Sequence, residues 1–153
     1  MKKTRTVSES ETCLSEVMMP IYANHYGSVH GGTILRLVDE AAFVVATKHA
    51  RMNVVMASMD HISFKHPVSI GDMLNIRARL CYVGHSSMDI EVEIEQEMLK
   101  KGKTLHVGSA YLTMVALDKN QRPSKVPRLI LKTKAERSRA KLTLARRRRR
   151  LEA

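Results

Sequence analysis

The sequence predicts an α+β domain in which one long helix lies against a strongly bent antiparallel sheet, with a basic helix added at the C-terminus. Three observations predict it. A single stretch after Gly32 has helical periodicity, a series of later stretches alternates with period two between turn signals, and no second helical stretch intervenes before the C-terminal segment. At 153 residues with 44% apolar content, the chain suits one core with one appended element. We read residues 1–127 as the main domain and 128–153 as a basic helical tail.

Thr12 to Met19 reads as the first strand, stopped by Pro20, which has no N–H to give to a ladder. Residues 21–32, IYANHYGSVHGG, carry three glycines and read as a loop. From Ile34 onward Leu35, Val38, Ala41, Ala42, Val45 and Ala46 recur at helical spacing and fill one stripe. Asp39 falls at the edge of that stripe and Glu40 roughly opposite its centre. Phe43 and Val44 fall outside it, which points to a second covered side, such as another subunit.

Val54 to Phe64 is apolar on both faces and reads as a central strand. Leu74, Ile76, Ala78, Leu80 and Tyr82 then alternate with Asn75, Arg77, Arg79, Cys81 and Val83. After Gly84-His85-Ser86-Ser87, Met88, Ile90, Val92 and Ile94 alternate with Asp89, Glu91, Glu93 and Glu95. Arginines on one outward face and carboxylates on the next predict cross-strand charge pairs in an antiparallel hairpin. Leu105 to Leu117 is the last strand. Beyond the turn-rich residues 118–127, many good helix formers predict a terminal helix, frayed at its arginine run. A sheet carrying a single helix leaves apolar surface for a second copy, so a dimer is the expected minimum.

The formal charge of +11 is concentrated in residues 128–153, which hold 11 basic and 2 acidic side chains; the main domain is nearly balanced. With no Trp, two Phe and four Tyr there is little material for base stacking, which argues against nucleic acid as a partner. Arg146 to Arg150 reads as a solvated terminal charge run, and deletion of Arg146 to Ala153 is expected to leave turnover largely intact. The alternative is a non-catalytic sensor that binds nucleic acid through this run. Cys13 and Cys81 lie too far apart for a redox or zinc motif and suit free thiols in a reducing cytoplasm. His61 and His66 are five apart on a strand, and His25 and His30 lack a partner ligand, so no metal is expected. No window is apolar enough to span a membrane and no apolar stretch follows the N-terminal charges, so a cytoplasmic protein is expected.

The string Asn24-His25-Tyr26-Gly27-Ser28-Val29-His30-Gly31-Gly32 and the helix that follows resemble the acyl-CoA hydrolases of the hot-dog fold. The runs Val54 to Asp60, Pro67 to Asp72 and Gly84 to Met88 resemble them as well. The likeness spans roughly Leu14 to Pro127, and its specificity lies in these blocks occurring in this order. It implies hydrolysis of acyl-CoA, with coenzyme A as part of the substrate and no cofactor. It also implies a site between two protomers, with Asn24 from one and Asp39 from the other, and a trimer of dimers as a common assembly.

The chemistry needs attack on a thioester carbonyl, a stabilised oxyanion and departure of a thiolate. Gly31 and Gly32 at the positive end of the helix suit the oxyanion, and His30 takes a structural or substrate-positioning role. Asp39 acts as general base on water or attacks directly; both routes stay open. Each assignment has a plainer competitor: Asn24 as an ordinary turn residue, Asp39 as a solvated helix residue, Gly31-Gly32 as a tight helix entry. For coenzyme A, the turn Gly84, His85, Ser86 and Ser87 is expected to border the nucleotide, and Ala57, Ser58 and Met59 to run beside pantetheine. Arg122 and Lys125 are candidate phosphate donors. A hydratase or dehydratase acting on the same thioesters is the rival reaction, and it wants a well-placed histidine where this helix offers Asp39.

Overall fold

The computed structural model describes residues 2–152. In chain order the elements are β1 (Thr4–Thr6), β2 (Thr12–Val17), α1 (Gly31–Ala50), β3 (Asn53–Phe64), β4 (Met73–Val83), β5 (Ser87–Met98), β6 (Lys103–Leu117), β7 (Arg128–Ile130) and α2 (Lys134–Glu152). β2, β4, β5, β6 and β3, in that order, form one antiparallel sheet, and α1 packs against one of its faces. Short β1 and β7 pair in parallel as a separate ribbon, which the sequence pattern did not reveal.

The buried face of α1 is Ile34, Leu37, Val38, Ala41, Ala42, Val45, Ala46 and Ala50. Three alanines at its centre let the helix axis approach the sheet closely. Against it stand Leu74, Ile76, Leu80, Ile90, Ile94, Leu112 and Met114, all essentially out of solvent and each contributing about 1.5–3 kcal/mol by burial. α1 ends where Arg51 adopts a left-handed φ of 56° and donates its N–H to Thr47 O at 2.8 Å. Leu35 is a correction to the predicted stripe. It is 36% exposed, because the face toward the sheet is centred one position round, on Ile34 and Leu37.

Two more expectations change. β3 is an edge strand, paired only with β6 among the described residues, although its two-faced apolar pattern suggested a central one. Its apolar side chains are instead exposed, Val55 by 47% and Met56 by 45%. β3 also slips register twice against β6, at Ala57 and at Asp60. In β4, a bulge at Cys81 reverses the alternation, so Tyr82 pairs with Asp89 on the outer face and Val83 packs on the core in its place. The predicted hairpin charge pairing is present: Arg79 lies 3.0 Å from Glu93 and 4.0 Å from Glu91.

The C-terminal arginines are not a frayed, solvated run. α2 starts on a capping box, Glu136 N–H donating to Thr133 Oγ1 at 3.0 Å while Thr133 N–H donates to Glu136 at 3.2 Å. It then crosses the outer face of the sheet, burying Ala140 and Thr143. Arg139 meets Glu91 at 3.6 Å, Arg147 meets Asp89 at 2.6 Å and Arg150 meets Asp60 at 2.8 Å. Arg146 stacks on Tyr111 with 3.7 Å to the ring centroid. At helical spacing these side chains share one face, and only Arg148 and Arg149 of the run stay exposed. Among the described residues no helix is long and apolar enough to cross a membrane.

Candidate active site

The loop before α1 is a small hairpin of its own. A turn of 3-10 helix at Pro20–Tyr22 starts it, Ala23 bridges Val29, and Val29 N–H donates to Val68 O at 2.8 Å, which fastens the loop to the chain before β4. Asn24 sits at the neck. Its backbone N–H donates to Ser28 O at 2.7 Å, its Oδ1 accepts from Tyr26 N–H at 2.9 Å and Ser28 N–H at 3.2 Å, and its Nδ2 donates to Ser28 Oγ at 3.1 Å. This arrangement is that of a turn asparagine. It also fixes the plane of the carboxamide and leaves one Nδ2 hydrogen uncommitted.

His30 is the N-cap of α1, its Nδ1 accepting from Gly32 N–H at 3.1 Å. Thr33 N–H donates to His30 O at 3.0 Å. Of the two glycines, therefore, Gly32 has its donor engaged, and Gly31 N–H has no acceptor among the described residues. Gly31 borders a recess of about 330 Å³ lined by Val29, Ile34, Phe64, Pro67 and Val68. An unpartnered N–H at the positive end of a twenty-residue helix, beside an open recess, is suited to negative charge.

Asp39 is exposed and makes no hydrogen bond or ion pair with any described residue. Glu40 differs: Arg36 holds it at 2.8 Å, and that bond raises the Arg36 pKa. Leu35, Asp39 and Phe43 are spaced one turn apart along one flank, with Phe43 48% exposed. The helix thus carries one uncommitted carboxylate between two exposed apolar side chains. Within the chain Asn24 and Asp39 do not touch, since the Asn24 contacts all lie in its own loop.

The structure brings the turn Gly84 to Ser87 beside Lys125, because Val126 N–H donates to His85 O at 2.9 Å. Gly84 N–H is used inside the turn, donating to Ser87 O at 2.9 Å, and Ser87 Oγ accepts from Arg147 at 3.0 Å. His85 and Lys125 are exposed; Ser86 accepts from Ala116 N–H through its carbonyl. Arg122 stands further off, its backbone tied to Asp118 at the end of β6. Ala57 is a bulge residue on β3, Ser58 Oγ accepts from Arg150 at 3.1 Å, and Met59 packs on the core. Arg147, Arg150 and their partners Asp60, Asp89 and Thr113 escaped the sequence reading. A helical projection of the tail, which separates Arg147 and Arg150 from Arg148 and Arg149, holds that signal.

One long helix held in a curved antiparallel sheet, with an open helix N-terminus and a free carboxylate on the helix flank, defines a hot-dog fold protein of the thioesterase class. The chain belongs to the thioesterase superfamily, whose family model matches residues 26–103. Bacillus subtilis YkhA, described as an uncharacterized acyl-CoA thioester hydrolase, is 32% identical over 134 residues, covering 88% of this chain and 78% of that protein. A structure described as an apo-hexameric acyl-CoA thioesterase superposes with a TM-score of 0.94 at 31% identity, covering 98% of this chain and 96% of that one. An acyl-CoA hydrolase from Staphylococcus aureus, solved with butyryl coenzyme A, coenzyme A and coenzyme A disulfide, gives a TM-score of 0.90 at 33% identity over 97% and 91% of the two chains. Further structures of that enzyme carry alanine in place of an aspartate and of an asparagine.

Proposed function

We propose that the protein hydrolyses acyl-CoA thioesters to free acid and coenzyme A, at sites shared between two protomers. The observation that carries the site is Asp39, the uncommitted carboxylate on an exposed apolar flank of α1, whose neighbour Glu40 is neutralised by Arg36. The Staphylococcus aureus complex supports the substrate class, and the exchanged aspartate and asparagine in that enzyme support the residue types.

The thioester carbonyl sits in the recess beside Gly31, with its oxygen toward the Gly31 N–H and the helix N-terminus. Gly31 and Asp39 stand eight residues apart on α1, too far to share one carbonyl, so the second protomer's Asp39 takes a proton from a water that adds to the carbonyl carbon, or adds itself to give a mixed anhydride that water then opens. Negative charge grows on the carbonyl oxygen, where the N–H and the helix dipole stabilise it. The C–S bond breaks as the carbonyl re-forms, and coenzyme A leaves as a thiolate that is protonated afterwards. Asn24, on the protomer that supplies Gly31, donates its remaining Nδ2 hydrogen to the water or the carbonyl. His30, with Nδ1 engaged in the cap, orients the glycines. The turn 84–87 with Lys125 and Arg122 meets the nucleotide end of coenzyme A, and Ala57, Ser58 and Met59 flank pantetheine.

Exposed Phe43, Val55 and Met56 and the open edge of β3 supply the apolar surface that a second protomer covers. Neighbours described as hexameric support assembly into a trimer of such dimers. Free Cys13, exposed, fits a reducing cytoplasm. The test is thiol release from an acyl-CoA panel, acetyl to palmitoyl, by the parental protein and Asp39→Ala. Release by the parent and loss of about a hundredfold or more in the variant is expected. A folded Asp39→Ala protein with parental turnover would overturn the mechanism.

A further inference from the structure

We propose that α2 is a strap whose arginines hold the two segments bordering the coenzyme A groove, Ser58 to Asp60 of β3 and the turn Gly84 to Ser87, in the geometry that substrate binding needs. The importance of those segments rests on the function proposed above. The strap itself stands on contacts within this chain.

β3 is poorly held where it borders the groove. Its register slips at Ala57 and again at Asp60, so two residues within four lack a ladder partner on β6, and its other edge is open among the described residues. A doubly bulged edge strand has several accessible twists. Arg150 limits them. Around one of its guanidinium nitrogens, Nη1, Ser58 Oγ lies at 3.1 Å, the two Asp60 oxygens at 2.8 and 2.9 Å and Thr113 Oγ1 on β6 at 3.3 Å, acceptors that share its two hydrogens. Those contacts span the second bulge and tie it to the neighbouring strand.

One turn back on α2, Arg147 does the same for the other segment. Its Nη2 donates to Ser87 Oγ at 3.0 Å, its Nη1 to Asp89 Oδ2 at 2.6 Å, and its guanidinium covers the Tyr82 ring at 4.9 Å. Thr113 Oγ1 donates to Asp89 Oδ1 at 2.6 Å, so the two arginines belong to one connected network. The β4 bulge at Cys81 is what brings Tyr82 opposite Asp89, on the face that α2 covers. A solvated charge run accounts for none of this selectivity: Arg146, Arg147 and Arg150 dock, while Arg148 and Arg149 stay in solvent.

Arg147 is a poor probe, since Asp89 is only 8% exposed in its side chain and its loss leaves a buried charge unpaired. Arg150, with a side chain 34% exposed, is the clean one. The test compares Arg150→Ala, Arg150→Lys and the exposed control Arg148→Ala in the full-length protein by amide hydrogen exchange and by steady-state kinetics on acyl-CoA. For Arg150→Ala we expect exchange at residues 57–61 to rise about tenfold. KM should rise about tenfold with kcat within about twofold. Arg150→Lys, which keeps the charge on a shorter side chain, falls between, and Arg148→Ala behaves as the parent.

Unchanged exchange at residues 57–61 overturns the strap. So does faster exchange with an unaltered KM, or a loss confined to kcat with exchange raised evenly along the chain, as general destabilisation gives. A parental protein that releases no thiol defeats the proposed function instead, and the exchange at 57–61 then decides the strap alone.

Discussion

Asn24 has two duties that a single alanine substitution would confuse. Its Oδ1 accepts two loop N–H groups, which is a folding role, while its free Nδ2 hydrogen is the proposed catalytic donor. Asn24→Asp keeps the acceptors and removes the donor. We expect that variant to retain its thermal midpoint and lose about a hundredfold in kcat, measured by thiol release; parental turnover would reduce Asn24 to a turn residue. At the helix start the two glycines separate in the same way, because the His30 ring occupies the Gly32 donor and leaves the Gly31 N–H as the proposed oxyanion donor. That division was not legible in the His-Gly-Gly string, since it depends on which way the His30 ring turns once it caps the helix.

β3 shows how an element is read correctly in extent and wrongly in place. Its residues form a strand from Asn53 to Phe64, close to the predicted span, but the apolar pattern on both faces does not say whether this chain or a second copy covers it. Its pairing with β6 depends on a glycine. A Cβ on Gly108 would run into the Ser63 carbonyl, so the two backbones meet there only because the side chain is absent. Gly108→Ala is expected to destabilise the fold by about 2 kcal/mol or more, read as a lower urea midpoint; a midpoint equal to the parent's would show that the strands part without cost. In β4 the alternation was legible up to Leu80 and failed at the bulge, which no local pattern announced. The outward charges of β4 and β5 did announce their pairing, because cross-strand neighbours follow from register alone.

Across the whole molecule, stability and assembly have separate signatures. His49 is fully buried near the end of α1, where its Nε2–H donates to Pro127 O at 2.7 Å and fastens the segment leading to α2. Burial lowers its pKa below 6.5, opposed by the Pro127 bond, with Arg5 lowering and Glu9 raising it. The unfolded chain therefore binds this proton more readily. Stability is full above about pH 6.5 and falls as pH drops from there toward the folded-state pKa. Urea unfolding from pH 7.5 to 5 should show that slope, and His49→Gln should flatten it; an unchanged slope would place the acid sensitivity elsewhere. A shared site predicts complementation. Mixed one to one, Asn24→Ala and Asp39→Ala protomers form heterodimers with one intact site each, so about a quarter of parental activity should return after subunit exchange. No recovery from two separately inactive variants would mean that both residues act within one protomer.

The α+β class, the long helix, the period-two strands and the place of Asp39 at the edge of the helix stripe were all legible beforehand, because each follows from side-chain periodicity within a contiguous segment. The blocks around Asn24, Gly31-Gly32 and Gly84 to Ser87 carried the resemblance to thioester hydrolases for the same local reason. It took the folded chain to show that β3 lies at an edge, that Tyr82 faces outward, and that the C-terminal arginines dock on the sheet. Those outcomes depend on bulges and on ion pairs such as Arg147–Asp89 and Arg150–Asp60, whose partners lie 58 and 90 residues apart. A charge run looks solvated until its carboxylates are brought to it, and chain folding alone brings them.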